Sequence, residues 1–290
     1  MEKSWVLLHA VVLFAIIVMA LIMLTARPGG AAETPAAIVP ADFLRFWQEA
    51  DTGLAQWPLG LDYLPGTHTV QFTGVNGERC SAFVQIPRQG PPYTGAVLHL
   101  SASGTSVLTT PDDGLVHLFI AWDPAHPATD WQLTGKLDRR ACGLYRGILN
   151  ARQALAVLTA LPSVPPGHAA VVGEGIGATE ALALAALCPG DVACVVEYCP
   201  EGPNSRLAGL DPATRVRARY FDPTNFAGYV RAPVLLLGPE SGSRAAASAA
   251  CAEWVADRLN HVPARVRTPL TDDAANVQLA AAPPVGDSAS

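Results

Sequence analysis

The chain has 290 residues, 50% of them hydrophobic and 15% charged, with a formal net charge of −6 at pH 7. This length is enough for one sizeable hydrophobic core. The acidic balance and the lack of a basic cluster argue against a nucleic-acid partner. Gly and Pro, with 25 residues each, predict many tight or irregular connections between elements.

The first element along the chain is an apolar N-terminal segment. Trp5–Leu24 carries no charge, and a helix of its length spans roughly 30 Å, the thickness of the hydrocarbon core of a bilayer. We therefore predict a signal-anchor or signal peptide over residues 1–25. The uncleaved anchor is favoured because cleaved signals have a shorter apolar region, although the small residues Pro28–Ala32 suit a signal peptidase. In both cases the rest of the chain is expected to be exported, either membrane-anchored or secreted.

Residues 26–39 are rich in Ala, Pro and Gly and are predicted to be a linker. The folded body then opens with a helical pattern, Asp42–Ala50, whose apolar residues share one face. Two stretches in which apolar and polar residues alternate follow, His68–Val75 and Arg79–Ile86. The Asn76-Gly77 pair between these stretches predicts a β-hairpin.

The rest of the body alternates apolar runs with helical segments. Continuous apolar runs are typical of strands buried in a parallel sheet. The predicted strands are Ala96–Leu100, Val116–Trp122, Val192–Val196, Pro233–Leu237 and Ala264–Thr268. The predicted helices include Leu144–Leu161 and Ala246–Leu259. An antiparallel opening followed by this alternation predicts a mostly parallel sheet with helices on both faces. The body is predicted to end near residue 275, and residues 276–290 are expected to form a disordered tail.

The stretch Ala169–Glu180 carries the strongest chemical pattern. An apolar strand leads into Gly-x-Gly-x-Gly, and an alanine-rich helix is predicted from about Ala178. This is the layout of the nucleophile elbow of α/β-hydrolases, in which Gly-x-Ser-x-Gly lifts a serine on a strained turn. The central residue here is Gly175, which has no side chain to attack a carbonyl group. Taken alone, the pattern also fits an ordinary Gly-rich turn between a strand and a helix.

Further motifs extend this pattern over about residues 40–275. They are Pro40–Trp47, Phe72-Thr73-Gly74, Ile86-Pro87, Tyr145-Arg146-Gly147, Ala232–Leu235 and, most distinctive, Tyr220–Ala227. In these motifs the sequence resembles the acetyl xylan esterase / cephalosporin-C deacetylase family of α/β-hydrolases. The resemblance implies an α/β-hydrolase fold, with a mostly parallel central sheet flanked by helices. A fold does not carry its function with it, so activity has to be judged from the site residues.

The resemblance also implies a Ser-His-Asp triad, and the matching positions depart from it. The serine position is Gly175, and the acid position is Ser241 with Glu240 beside it. The histidine position is Asp273 or its neighbour Asp272, and no histidine occurs after His261. The triad is therefore predicted to be lost, and no catalytic residue is assigned.

The remaining polar residues near the expected pocket are consistent with an alternative, an unconventional active site. The oxyanion loop implied by the resemblance keeps its first histidine but lacks the tyrosine, and the arginine of the next loop is absent. The candidate pocket residues are His99, Ser101, Ser103, Asp123, Glu174 and Glu240, with His126 as a further candidate base. A serine at the end of a strand is more often a turn residue than a nucleophile. A glutamate at the start of a helix is explained more simply by the helix dipole.

The six cysteines show neither Cys-x-x-Cys nor Cys–His spacing, so no metal site and no cofactor is expected. Export would permit disulfides, and buried free thiols are the alternative. Together, the residues and the resemblance predict an exported, membrane-anchored pseudoenzyme that acts by binding or assembly. The alternatives are an active carbohydrate esterase with an unconventional constellation, and a subunit that forms homo- or hetero-oligomers with related chains. The expected ligand is an acetylated carbohydrate or a small ester.

Overall fold

The computed structural model describes residues 39–64, 67–101, 113–121, 138–161, 163–199, 211–238 and 244–262. These residues belong to one unit of the chain, which begins at Val39. The predicted membrane segment Trp5–Leu24, the predicted strand Ala264–Thr268 and the predicted tail lie outside the described residues. None of the described helices has both the length and the hydropathy needed to cross a membrane.

Eight strands of the described residues form one sheet in the order β1-β2-β3-β5-β4-β6-β7-β8. They are β1 Asp62–Tyr63, β2 Thr69–Thr73, β3 Arg79–Gln85, β4 Gly95–Ser101, β5 Leu115–Ala121, β6 Ala169–Glu174, β7 Val192–Tyr198 and β8 Val234–Leu237. The pairs β1/β2, β2/β3 and β3/β5 are antiparallel, and all later pairs are parallel. The prediction of a mostly parallel sheet after an antiparallel opening is confirmed.

Six α-helices accompany this sheet in the described part of the chain. They are α1 Phe43–Leu54, α2 Gly143–Ala160, α3 Ile176–Leu187, α4 Pro212–Ala218, α5 Pro223–Ala227 and α6 Arg244–Asn260. Short 3-10 turns lie at Val75–Gly77, Arg139–Ala141 and Arg219–Phe221. The predicted helices correspond to α1, α2, α3 and α6, each with ends shifted by a few residues, whereas α4 and α5 were not predicted.

Alternation of side chains along the central strands produces two buried faces. On one face, Leu98 and Val171 pack with residues of α2 and α3, such as Leu155. On the other face, Val97 and Val172 pack with residues of α6. Successive residues of a strand point to opposite faces, so a continuous apolar run is buried on both sides. The helices therefore cover both faces of the parallel part of the sheet, as predicted.

The hairpin between β2 and β3 turns at the predicted pair. Asn76 has φ 58° and Gly77 has φ 75°, both in the left-handed region, which the Asn-Gly pair adopts at low cost. A Cβ at Gly77 would lie 2.8 Å from the ring of Trp57, so this position has no room for a larger residue. The register pairs Phe72 with Cys80 across the hairpin.

Candidate functional site

The corner after β6 has the geometry of a nucleophile elbow. Gly175 has φ 60° and ψ −114°, and its N–H donates to the carbonyl oxygen of Tyr198 at 3.1 Å. Helix α3 begins at the next residue, Ile176. The predicted central strand, sharp corner and following helix are confirmed, although the helix starts two residues earlier than the sequence pattern indicated.

The flanking glycines of the elbow are required by close backbone approaches. A Cβ at Gly173 would lie 2.3 Å from the carbonyl oxygen of Gly177. A Cβ at Gly177 would lie 2.0 Å from the carbonyl oxygen of Leu100, near the end of β4. Real Cβ atoms do not come this close to backbone atoms, so strand β6, helix α3 and strand β4 can meet only through glycines. The central glycine, Gly175, differs from these two, because the feature that favours glycine there is its positive φ.

The structure describes only part of the predicted pocket. His99 and Ser101 lie in the last three residues of β4, and both are buried. The register pairs Leu100, between them, with Gly173, which places the end of β4 beside the elbow. Glu174 is the last residue of β6. The remaining candidates lie outside the described residues: Ser103, Asp123, His126, Glu240, Ser241, Asp272 and Asp273.

Two buried histidines and a half-buried aspartate form a chain of polar contacts that starts from His99. Nε2 of His99 is 2.9 Å from Nδ1 of His117, a residue of β5. Nε2 of His117 is in turn 3.0 Å and 3.1 Å from the two carboxylate oxygens of Asp113. His99 is 1% exposed and His117 is 3% exposed. We call these three residues the Asp–His–His relay.

With both imidazole rings neutral, the hydrogen bonds of the relay determine the tautomers of both histidines. Asp113 accepts from the backbone N–H of Leu115 at 3.0 Å, and as a carboxylate it also accepts from Nε2–H of His117. A neutral imidazole has one donor and one acceptor nitrogen, so Nδ1 of His117 accepts from Nε2–H of His99. Nδ1 of His99 is then unprotonated. Burial, together with the neighbouring His117, lowers the pKa of His99 well below its ordinary value, which favours the neutral ring.

Sequence reasoning identified His99 but missed its two partners. His117 follows Asp113 by four positions, and it interrupts an otherwise apolar strand. A histidine inside each of two neighbouring apolar runs was the available signal for a contact between the two rings. Whether the two rings meet depends on strand order and register. In the structure β5 lies between β3 and β4, which brings His117 next to His99.

A second buried titratable group lies beside the elbow. Glu197 of β7 pairs with Gly173 in register and is 7% exposed. Burial raises the pKa of Glu197 to about 7, because an apolar environment disfavours the carboxylate. Within the residues that the structure describes, no group of three or more His, Cys, Asp or Glu side chains is arranged to hold a metal ion.

All six cysteines lie in the described part of the chain, and all are free. Burial is the main cause that raises the pKa of Cys194 and of Cys251 to about 12. The close sequence spacing of Cys188, Cys194 and Cys199 therefore does not correspond to a disulfide in this structure. Of the two possibilities left open by the sequence, the structure has the free thiols.

Comparison with known proteins identifies similar folds. No protein-family model matches the chain, and no curated protein matches it in sequence. The acetyl xylan esterase from Paenibacillus sp. R4 aligns with a TM-score of 0.55 and 19% identity, over 69% of this chain and 79% of that one. Acetyl xylan esterase 1 from Thermoanaerobacterium sp. JW/SL YS485 aligns with a TM-score of 0.55 and 20% identity, over 68% and 78%.

A prolyl endopeptidase also aligns, with a TM-score of 0.50 and 14% identity over 66% of this chain and 38% of that one. Proteins with such different substrates share the architecture, so the likeness is one of fold and does not by itself assign a reaction. The resemblance seen in the sequence motifs is confirmed at this level. The chain has an α/β-hydrolase fold, and its structure is similar to those of acetyl xylan esterases.

Proposed function

We propose that this chain is a pseudoenzyme, an α/β-hydrolase fold that acts by binding or assembly without acyl transfer. The observation that carries the proposal is Gly175 at the elbow, with φ 60° and ψ −114°. In active members of the fold the side chain at this position attacks the substrate carbonyl. This elbow has the backbone turn of that corner and lacks the nucleophile.

The described histidine beside the elbow does not supply the missing base. His99 pairs with Val172 in register, three residues before Gly175, which is about 10 Å along a strand. A general base has to lie within hydrogen-bond reach of the proton that it removes. Nε2 of His99 is also already engaged with His117. The arrangement therefore favours a structural or binding role for this histidine.

The proposed ligand is an acetylated carbohydrate or a small ester. The similar structures named acetyl xylan esterases support this class. Without a nucleophile such a ligand would be held and released unchanged. Assembly with related subunits remains a second form of the same non-catalytic role.

The test is an assay of acetate release by the full-length chain from acetylated xylosides and from an aryl acetate. We expect no release above the rate in buffer, for both the wild type and Gly175→Ser, because the variant restores a hydroxyl but no base. Turnover by the wild type that disappears in Ser101→Ala or His99→Phe would contradict the proposal. That result would establish an active esterase with an unconventional constellation.

We further propose that the protein is exported and anchored through residues 1–25, with residues 26–39 as a linker, residues 40–275 as the folded body and residues 276–290 as a tail. The proposal rests on the length and apolar composition of Trp5–Leu24. Carbonate extraction of membranes tests it, since an anchored chain stays in the pellet at full length. Release of a shortened protein would show a cleaved signal peptide instead.

A further inference from the structure

The Asp–His–His relay has a property that the loss of a nucleophile does not explain. Two buried imidazoles, with the half-buried carboxylate of Asp113 at one end, occupy a sheet face that otherwise packs apolar residues such as Val97 and Leu115. Burying such groups is costly unless each hydrogen-bonding atom has a partner. The hydrogen bonds here all run the same way: His99 donates to His117, and His117 donates to the carboxylate of Asp113.

The last nitrogen of the relay, Nδ1 of His99, has an acceptor position unused by the described residues. Nδ1 of His99 is fully buried and has no hydrogen-bond partner among the described residues. The ring of Phe119 stacks on His99 with a centroid distance of 4.4 Å and an interplanar angle of 9°. One flat side of the imidazole is thus covered by an aromatic ring, while the lone pair of Nδ1 lies in the ring plane.

We propose that Nδ1 of His99 is the acceptor in a binding site for a neutral hydroxyl group, supplied by a sugar or another alcohol. His117 and Asp113 are positioning residues that keep this nitrogen unprotonated. The proposal names a ligand class for the binding role inferred above and rests on that role. It assigns no bond-breaking step to the relay.

The chemistry of the acceptor selects the class of ligand. An unprotonated imidazole nitrogen cannot pair with an ester carbonyl, an ether oxygen or a carboxylate, because each of these groups only accepts. An ammonium group would have to be desolvated beside His99, and the carboxylate of the relay, Asp113, is already paired with His117. A neutral hydroxyl donor avoids both problems. A partly acetylated sugar keeps such hydroxyls, whereas a fully acetylated sugar has none.

The position of the relay agrees with a ligand site. His99 lies two residues before the end of β4, and this strand end is beside the elbow through the pairing of Leu100 with Gly173. In open α/β sheets, ligands bind at the carboxyl ends of the strands. Because His99 is 1% exposed, entry of the hydroxyl requires local opening of the residues that cover it.

The test uses the full-length chain with ¹⁵N-labelled histidine, for which NMR distinguishes protonated from unprotonated ring nitrogens. The probes are methyl β-xyloside, which has free hydroxyls, and its triacetate, which has none. We expect the Nδ1 signal of His99 to be that of an unprotonated nitrogen and to shift saturably with the xyloside only. His99→Phe keeps an aromatic ring against Phe119 and should abolish this response, measured for the variant as binding by calorimetry.

Two further variants separate the positioning role of Asp113 from a non-specific effect of removing a carboxylate. Asp113→Asn retains the ring of His99 but weakens control of the tautomers, and we expect about fivefold weaker binding, the equivalent of one neutral hydrogen bond. Asp257→Asn is the matched control, because Asp257 of α6 and His261, just after this helix, form another i,i+4 carboxylate–histidine pair, and this pair is exposed. Binding by this variant should equal that of the wild type.

Several results would overturn the proposal. A protonated Nδ1 in the free protein, or equal responses to both probes, would remove the basis for donor selection. An Nδ1 signal that is unprotonated, hydrogen-bonded and unaffected by either probe would show that only a buried water occupies the site. Acetate release from a xyloside monoacetate is followed in parallel, so that turnover would contradict the pseudoenzyme proposal while hydroxyl binding at His99 is judged separately.

Discussion

Gly175 occupies backbone angles that a residue with a side chain adopts only under strain. Its φ of 60° with ψ of −114° lies in a region where a non-glycine residue costs about 1–3 kcal/mol. Active members of the fold tolerate this strain in order to present a nucleophile. A chain with glycine at the elbow is free of that cost, so Gly175 favours the stability of the corner.

Gly175→Ala should therefore lower the free energy of unfolding by roughly 1–3 kcal/mol, because a Cβ strains the corner. Urea denaturation of the full chain measures the change. Gly228→Ala is the control, since Gly228 has φ −64° and ψ −15° and a Cβ there would meet no atom within 4 Å. Equal stability of the two variants would show that the corner relaxes without strain.

Glu197 should make the stability of the protein depend on pH. Its folded pKa of about 7 is above the ordinary value of 4.5, so the folded state favours the protonated acid. The stability contributed by this carboxyl is fully present below pH 4.5 and is lost as pH rises through 7. Glu197→Gln removes the titration, and at pH 8 the variant should be more stable than the wild type by about 3 kcal/mol.

Urea unfolding at pH 4.5 and pH 8 measures the effect of Glu197→Gln, and the difference from the wild type should be small at the lower pH. Glu253→Gln on α6 is the matched control, because Glu253 is exposed and its substitution should leave the pH dependence unchanged. The same advantage of Glu197→Gln at both pH values would argue against a raised pKa.

At the scale of single residues, the sequence predicts backbone better than side-chain networks. The glycines at 173 and 177 indicated a close approach, and the structure has it. The partners of His99 could not be predicted, because a hydrogen bond between β4 and β5 depends on register, and a shift of one residue moves a side chain to the other face of the sheet.

At the scale of elements, the aromatic face of α1 anchors the start of the folded body. Phe43 and Phe46 are each 1% exposed and pack with Tyr220. The guanidinium of Arg139 lies 4.7 Å from the centroid of Phe46 and 4.3 Å from that of Tyr220. Asp42 accepts from the Tyr220 hydroxyl and pairs with Arg139 at 3.3 Å. The hydrogen bond from Tyr220 lowers the pKa of Asp42, and the charge of Arg139 acts in the same direction.

Arg139→Gln should lower the free energy of unfolding by about 1–2 kcal/mol, because it removes contacts with two rings and one ion pair. Arg45→Gln on α1 is the control. The side chain of Arg45 is 73% exposed and its ion pairs are 4.0 and 3.9 Å long, so its loss should change stability by less than about 0.5 kcal/mol. A similar decrease in the free energy of unfolding for both variants would show that the contacts of Arg139 make no specific contribution.

The periodicity of long segments predicted most of the elements, and short segments explain the misses. Helix α1 was predicted because its buried residues recur at helical spacing. The two-residue strand β1 and the five-residue helix α5 are too short to show a period. Helices α4 and α5 both begin with Asp-Pro, an N-cap followed by proline in the first turn, and this capping signal could have located them.

At the scale of the whole molecule, the sheet interior controls the chemistry of the buried groups. The same apolar layers that hold the elbow raise the pKa of Glu197, lower that of His99 and raise that of the cysteine thiols. Each shift favours the uncharged form, as burial requires. The fold was predictable from this apolar patterning. The function was not, because it depends on the few polar residues that interrupt the pattern.

The cysteines provide the test at this scale. A thiol reacts as its thiolate, and burial raises the pKa of Cys188, Cys194 and Cys251 to about 12. We expect the full chain, purified without reductant, to keep six free thiols and to react with iodoacetamide mainly after unfolding. Mass spectrometry with and without prior reduction gives the count, and equal alkylation in both samples is the expected result. Cys194 and Cys251 are near enough for Cys251 to raise the pKa of Cys194. A disulfide between these two cysteines is the specific outcome that would contradict six free thiols.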